Sequence, residues 1–192
     1  DIVKSFVKLP CESVWDMVER ESMVYASCGS NGKLFEIKGG GSFSTIFDAK
    51  ESNITVLTKD NKGNIVFGTY PTGTVYSVDN NKKIKVLIQI EENEITSLFY
   101  NQDTLFIGAN KYKINLQVDE NKDKTDPVTN AEKALEKKPE SFSVYSLDKN
   151  GKRELILFGD KEYVTDIQVE NNKDIFVTTG PKGRIYKVNF LS

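Results

Sequence analysis

The segments GTYPTGTVYSVD (68–79) and TTGPKGRIYKVN (178–189) write one phrase twice: an apolar run, a turn built on proline and glycine, and an alternating strand. The phrase belongs to a longer series. Aligned on its last strand, the chain reads GKLFEIK from Gly32, GTVYSVD from Gly73, SFSVYSLD from Ser141 and GRIYKVN from Gly183. Phe35 to Tyr76 and Tyr145 to Tyr186 are each 41 residues apart, and Tyr76 to Tyr145 is 69, so the third copy carries an insertion of 28. Three further runs keep step. MVYAS (23–27), IVFGT (65–69), LFIGA (105–109) and IFVTT (175–179) precede the final strand. Before them come VWDMV (14–18), ITVLT (54–58), ITSLF (95–99) and VTDIQ (164–168), and first in each unit IVKSFV (2–7), FSTIF (43–47), IKVLI (84–88) and ELILF (154–158). Four tracks moving together at a fixed period are an internal repeat, and that constrains the fold more than any single motif.

Each run is short and rich in Val, Ile, Phe and Tyr, so each is expected to be a strand. Gly73 and Gly183 suit positive φ, and Pro71 and Pro181 suit a turn. Four strands in about 41 residues is the signature of a β-propeller blade. A lone blade cannot bury both faces; stacked blades bury one another. The expected fold is therefore all-β: a β-propeller of four four-stranded antiparallel blades in a single domain over 1–192. The blades would span about 1–40, 41–80, 81–148 and 149–192, with the insertion at 111–140. Tyr76, Tyr145 and Tyr186 are expected to pack between blades. On this phasing the chain starts with the first strand of one blade and ends after the last strand of another, so no blade is expected to be completed from both termini. Three assemblies follow: a segment of a larger ring, a half-ring that pairs with a second copy to give eight blades, or a closed four-bladed ring. The first two are favoured.

The runs IVFGTYPTGTVYSVD and DIFVTTGPKGRIYKVN resemble bacterial propeller repeats of the form G-x-L-Y-x-G-T-x-x-x-G-x-V-Y-x-V-D, found in WD-repeat-like proteins, many of them exported. The resemblance spans all four units and implies a fold rather than an activity. No unit has the Gly-His pair or the terminal Trp-Asp of true WD repeats; Trp15-Asp16 lies in a second strand. No WD-type hydrogen-bonded tetrad is therefore carried over. An exported location is favoured over a cytoplasmic one on this resemblance.

Charge is balanced, 26 Lys plus Arg against 28 Asp plus Glu, which lacks the basic excess of a nucleic-acid binder. No apolar run reaches the length of a membrane span. The absence of histidine removes the commonest general base and metal ligand. No metal, cofactor or catalytic residue is expected. DNKGN (60–64) reads as a hairpin turn, since it lacks the later glutamate of a calcium loop. Candidate binding residues are Trp15, Asp16 and Asp166, the two aspartates sharing one track, together with Tyr112 in the insertion. Asp16 and Asp166 equally suit a structural role, capping a backbone amide. Cys11 and Cys28 fall diagonally across a hairpin, where a disulfide and two free thiols are both open. Within the insertion, KINLQV suits a short strand and NAEKALEKK (130–138) a short helix. The function these features favour is a non-enzymatic binding or scaffold module. One propeller face would hold a protein or peptide partner, or the partner would be a second copy. The alternative is a ligand-sensing or hydrolase-type propeller whose active groups lie in blades outside this chain.

Overall fold

A computed structural model describes residues 5–49, 53–115, 136–171 and 173–190. These residues form fifteen strands and no helix. The first sheet joins β1 (Val14–Arg20), β2 (Met23–Cys28), β3 (Lys33–Ile37) and β4 (Phe43–Asp48). The second joins β5 (Asn53–Lys59), β6 (Ile65–Tyr70), β7 (Thr74–Val78) and β8 (Ile84–Gln89). The third joins β9 (Glu94–Asn101), β10 (Thr104–Asn115), β11 (Glu136–Leu147) and β12 (Arg153–Asp160), and the fourth joins β13 (Tyr163–Glu170), β14 (Asp174–Gly180) and β15 (Arg184–Asn189). Every neighbouring pair is antiparallel and consecutive in the chain, so each sheet is a meander.

The sheets stack in series on their inner strands β1, β5, β9 and β13. Three apolar layers fill the junctions. Tyr25 and Leu34 meet Ile54, Leu57, Ile65 and Phe67 in the first. Val66 and Val75 meet Ile95, Leu105 and Ile107 in the second, and Phe106, Phe142 and Val144 meet Val164, Ile167 and Val177 in the third. Alternation along β6 shows why the strands read as apolar on both faces. Ile65 and Phe67 point back to the first sheet while Val66 points on to the third. The tyrosine track lies between sheets as expected. Tyr76 stacks on Phe67 at 5.2 Å and meets Phe47 of the first sheet at 5.1 Å; Tyr186 lies 6.2 Å from Phe142 of the third.

The sheets are phased differently from the repeat units. FSTIF, IKVLI and ELILF close a sheet as its outer strand instead of opening the next. Boundaries at 40/41, 80/81 and 148/149 therefore cut through sheets; the chain crosses between sheets near 49–53, 90–93 and 161–162. A periodic sequence fixes the spacing of its strands but not where one sheet ends. The fourth sheet has three strands among the described residues, and Ser5–Val7 of the first run are not in a strand.

Within the insertion, β10 and β11 extend their pairing out to Asn115 and Glu136. Glu136–Lys138 are strand, which corrects the end of the expected helix; its remainder, 130–135, lies outside the described residues.

The two phrases share their geometry. Tyr70–Pro71 and Gly180–Pro181 are both cis, and Gly73 and Gly183 have φ of +61° and +62°.

Candidate binding rim

Each inner strand breaks register at the same point. One residue is extra between Val14 and Asp16, Ile54 and Val56, Ile95 and Ser97, and Val164 and Asp166. The bulged residues are Trp15, Thr55, Thr96 and Thr165. A bulge re-aims its side chain, and bulges recur beside functional sites. Two of the threonines close their own bulges: Thr55 Oγ1 donates to the Gly68 carbonyl and Thr165 Oγ1 to the Thr178 carbonyl, both at 3.1 Å. Thr96 Oγ1 instead accepts the Asn110 side-chain amide at 2.7 Å. Trp15 can do neither. Its indole lies across Gly29, where an added Cβ would fall 1.9 Å from Nε1, and the residue is 58% exposed.

The residues that follow the bulges tie the sheets together. Asp16 Oδ1 accepts the N–H of Met17 at 2.7 Å, and Oδ2 accepts the N–H of Leu57, in the second sheet, at 2.8 Å. Ser97 Oγ accepts the N–H of Ile167, in the fourth sheet, at 3.1 Å and donates to Asp166 Oδ1 at 3.1 Å. Asp166 Oδ1 also accepts its neighbour's amide, from Ile167, at 2.8 Å. Both aspartates therefore act as acceptors for main-chain N–H groups. Two sheets separate them, so they do not form a pair.

Tyr112 lies where β10 begins its extension. Its N–H donates to Asn93 Oδ1 at 3.0 Å, and burial, aided by Glu94, raises its phenol well above the ordinary value. Beside it Asn110, fully buried, accepts the Val164 N–H at 2.7 Å and donates to the Val164 carbonyl at 3.0 Å, pinning the third sheet to the fourth. Sequence reading singled out Tyr112 but missed Asn110, a polar residue directly after the apolar run LFIGA of β10.

It also missed two buried carboxylates on the linkers. Tyr145 donates its hydroxyl to Glu92 at 2.9 Å, and Tyr186 donates to Glu162 at 3.3 Å. Glu162, 3% exposed, also takes the Thr179 hydroxyl at 2.9 Å, Arg184 at 2.8 Å and Lys182 at 3.3 Å. Burial works to raise its carboxyl, but the Thr179 hydroxyl and the two cations outweigh it and hold the group below its ordinary value. The readable signal was a track tyrosine paired with a glutamate one or two residues before an inner strand.

Cys11 and Cys28 are joined in a disulfide with Cα atoms 6.1 Å apart. Cys11 precedes Val14 by three residues, as Glu92 precedes Ile95, and Cys28 opposes Val14 as Thr179 opposes Val164. A covalent link thus stands where the last linker uses Glu162 and Thr179. It fastens the 5–11 strap to the outward face of the first sheet, where Leu9 packs with Ala26, Phe35 and Ile37. Phe6 and Val7 line a cleft of about 260 Å³ there with Val14, Met17 and Val24.

The opposite rim carries a polar cleft of about 530 Å³ lined by Asp60, Tyr100, Gln102, Asp103 and Asp148. Asp60 Oδ1 accepts the N–H groups of Lys62 and Asn64, both at 2.8 Å, and Asp148 does the same for Asn150 and Lys152. DNKGN is thus a hairpin turn closed by its own aspartate. Burial, with help from Asp60, pushes the Tyr100 phenol up to about 12. Among the described residues, no three His, Cys, Asp or Glu side chains gather as a metal-binding group.

No protein-family model matches the chain, and no curated protein matches it in sequence. Solved structures do match, and they are propeller-like. The computationally designed Ika4 protein aligns with TM-score 0.60 at 12% identity over 99% of this chain and 100% of its own. Streptogramin B lyase aligns with TM-score 0.62 at 9% identity over 93% of this chain and 55% of its own. The extracellular domain of the putative one component system BT4673 from B. thetaiotaomicron aligns with TM-score 0.62 at 12% identity over 91% of this chain and 20% of its own. The chain thus spans all of the designed protein, about half of the lyase and a fifth of the third. At these identities the likeness defines the fold, an all-β propeller, and nothing finer.

Proposed function

We propose that this chain is a non-enzymatic binding or scaffold module. It presents the Trp15 rim to a protein or peptide partner, and its four sheets act as one unit. The observation that carries the reading is Trp15 itself. It is a large, 58% exposed aromatic at a bulge position that is threonine in the other three sheets. Exposed aromatics on a rigid scaffold are the usual anchors of peptide and protein recognition. Asp16 and Asp166 support the same reading, because they are engaged with main-chain amides and lie two sheets apart, whereas an enzyme needs converging groups. We extend the proposal to an exported, oxidising location, supported by the intramolecular disulfide.

Trp15 is the sole tryptophan, so it reports on its own rim. A displayed random-peptide library selected against the chain should yield peptides that shift Trp15 fluorescence saturably, and Trp15→Ala should lose those peptides at least tenfold. Selected peptides that bind Trp15→Ala equally well would overturn the rim assignment. Turnover of a hydrolase or lyase substrate panel would overturn the non-enzymatic reading.

A further inference from the structure

The fourth sheet ends at β15, and among the described residues no strand pairs with that strand's outer edge. The first three sheets are each closed by an outer strand: β4, β8 and β12. These strands come from the same sequence track as IVKSFV, 2–7. That run stands before the first sheet as β4 stands before the second and β8 before the third. It is an outer strand by sequence, and among the described residues no earlier sheet stands for it to close.

The linker that follows it keeps the register of the other linkers. Leu9 lies five residues before Val14, as Ala49 lies before Ile54 and Ile90 before Ile95. Ala49 N–H donates to Gly32 O at 3.0 Å, and Ile90 N–H donates to Gly73 O at 3.1 Å. Gly183 is the matching glycine of the fourth sheet, with the same positive φ. A Cβ on Gly73 would lie 2.0 Å from Glu92 O and 3.1 Å from Ile90 O; a Cβ on Gly183 would meet no heavy atom within 4 Å. Gly183 thus has room for a linker like 9–11 that no described residue of its own chain fills.

The outward faces agree. Asp166 holds its own neighbour's amide on Oδ1 as Asp16 does. Asp16 Oδ2 takes the main-chain amide after the matching position of the next sheet, whereas among the described residues Asp166 Oδ2 accepts only the Gln168 side-chain amide, at 3.3 Å. The amide that would continue this series is that of Met17. Met17 on the first sheet and Ile185 on the fourth are each 71% exposed. These two sheets stand at opposite ends of the series, so a single copy does not bring its own ends together.

We infer that two copies associate head to tail. The fourth sheet of each packs on the first sheet of the other, and Ser5–Val7 of each add to the outer edge of the other's β15. The Leu9 N–H then donates to the other copy's Gly183 O, and the other copy's Asp166 Oδ2 shares the Met17 N–H with Asp16 Oδ1, as Ser97 Oγ and Asp166 Oδ1 share that of Ile167. Ser5–Val7 leave the cleft by Val14 and Met17, while the disulfide holds the root of the exchanged strand. Both new junctions are continuous with the three inside each chain, and one two-fold axis closes an eight-sheet ring. The inference goes beyond the rim-binding reading and does not depend on it.

The test is solution mass by light scattering over a concentration series, with the disulfide intact. The chain is 21.6 kDa, and a species at twice that is expected. Met17→Lys and Ile185→Lys, both at exposed positions, should each keep the circular dichroism spectrum and melting temperature of the parent and associate at least tenfold more weakly. An equimolar mixture of the two variants should regain dimers through one parental junction, between the unaltered fourth sheet of Met17→Lys and the unaltered first sheet of Ile185→Lys, while the junction that carries both lysines stays open. Hydrogen exchange should show β15 amides protected in the dimer. A parent that stays at 21.6 kDa throughout overturns the inference. So does a dimer that either variant forms alone with unchanged affinity.

Discussion

Asp16 Oδ2 accepts the main-chain N–H of Leu57 at 2.8 Å, across the boundary between the first and second sheets. Removing the carboxylate leaves that amide without its acceptor, a loss of about 1–3 kcal/mol. Asp16→Ala should therefore lower the free energy of unfolding by that amount in urea titration, and Asp16→Asn, which keeps an acceptor oxygen, should lose less. Equal losses for the two variants would show that the carboxylate charge matters rather than the acceptor.

Glu162 gives the fold a pH dependence. Its folded carboxyl titrates below the ordinary 4.5, so its contribution is fully present above that value and is lost as pH falls through the lower, folded value. Melting temperature measured from pH 6 downward should drop through the acid range. Glu162→Gln should be less stable than the parent at pH 6 and should converge with it at low pH. A constant gap at all pH values would assign the effect to packing.

Cys11 and Cys28 close a loop with a sequence separation of 17. For a loop of that size, chain entropy alone gives about 3 kcal/mol. The double variant Cys11→Ser/Cys28→Ser should be destabilised by about that much and should bind more of a dye selective for apolar surface. Ala26, Phe35 and Ile37 would lose the strap that covers them. Unchanged dye binding would mean that Leu9 holds the strap without the covalent link.

Gly68 separates the second and third sheets with no side chain. A Cβ there would sit 2.3 Å from Ile95 Cγ2. Gly68→Ala should cost about 1–3 kcal/mol by forcing the sheets apart. Gly39→Ala, with nothing within 4 Å of the new Cβ, should stay within about 0.5 kcal/mol of the parent. A neutral Gly68→Ala would mean that Ile95 swings aside freely.

The period was legible because it lives in one register position, filled in three of the sheets by tyrosines that the junctions need. Phe35, Tyr76, Tyr145 and Tyr186 occupy one register position, as their partners Ala26, Phe67, Ile107 and Val177 show. Those pairs also reveal one slip. Ala26, not Tyr25, matches Phe67, because Glu21 and Ser22 alone make the first inner turn where the second sheet uses five residues, 60–64. A two-residue turn shifts every following side chain by one, and composition does not reveal it. The phase of the sheets was illegible for a different reason: a repeat looks the same wherever counting starts. Asn110 and Glu162 were hidden because the value of each depends on partners 54 and about 20 residues away.

The extended pairing of β10 and β11 runs out to Asn115 and Glu136, whose backbones lie side by side, about 5 Å apart. Residues 116–135 therefore enter and leave the stack through one doorway. For the rest of the molecule their number is almost a free variable, since the entropy of joining two neighbouring ends grows only slowly with the length of chain between them. An epitope, a reporter or a small folded domain with adjacent termini could be spliced in there. The inner strands and their three apolar layers would carry such a graft without a change of register.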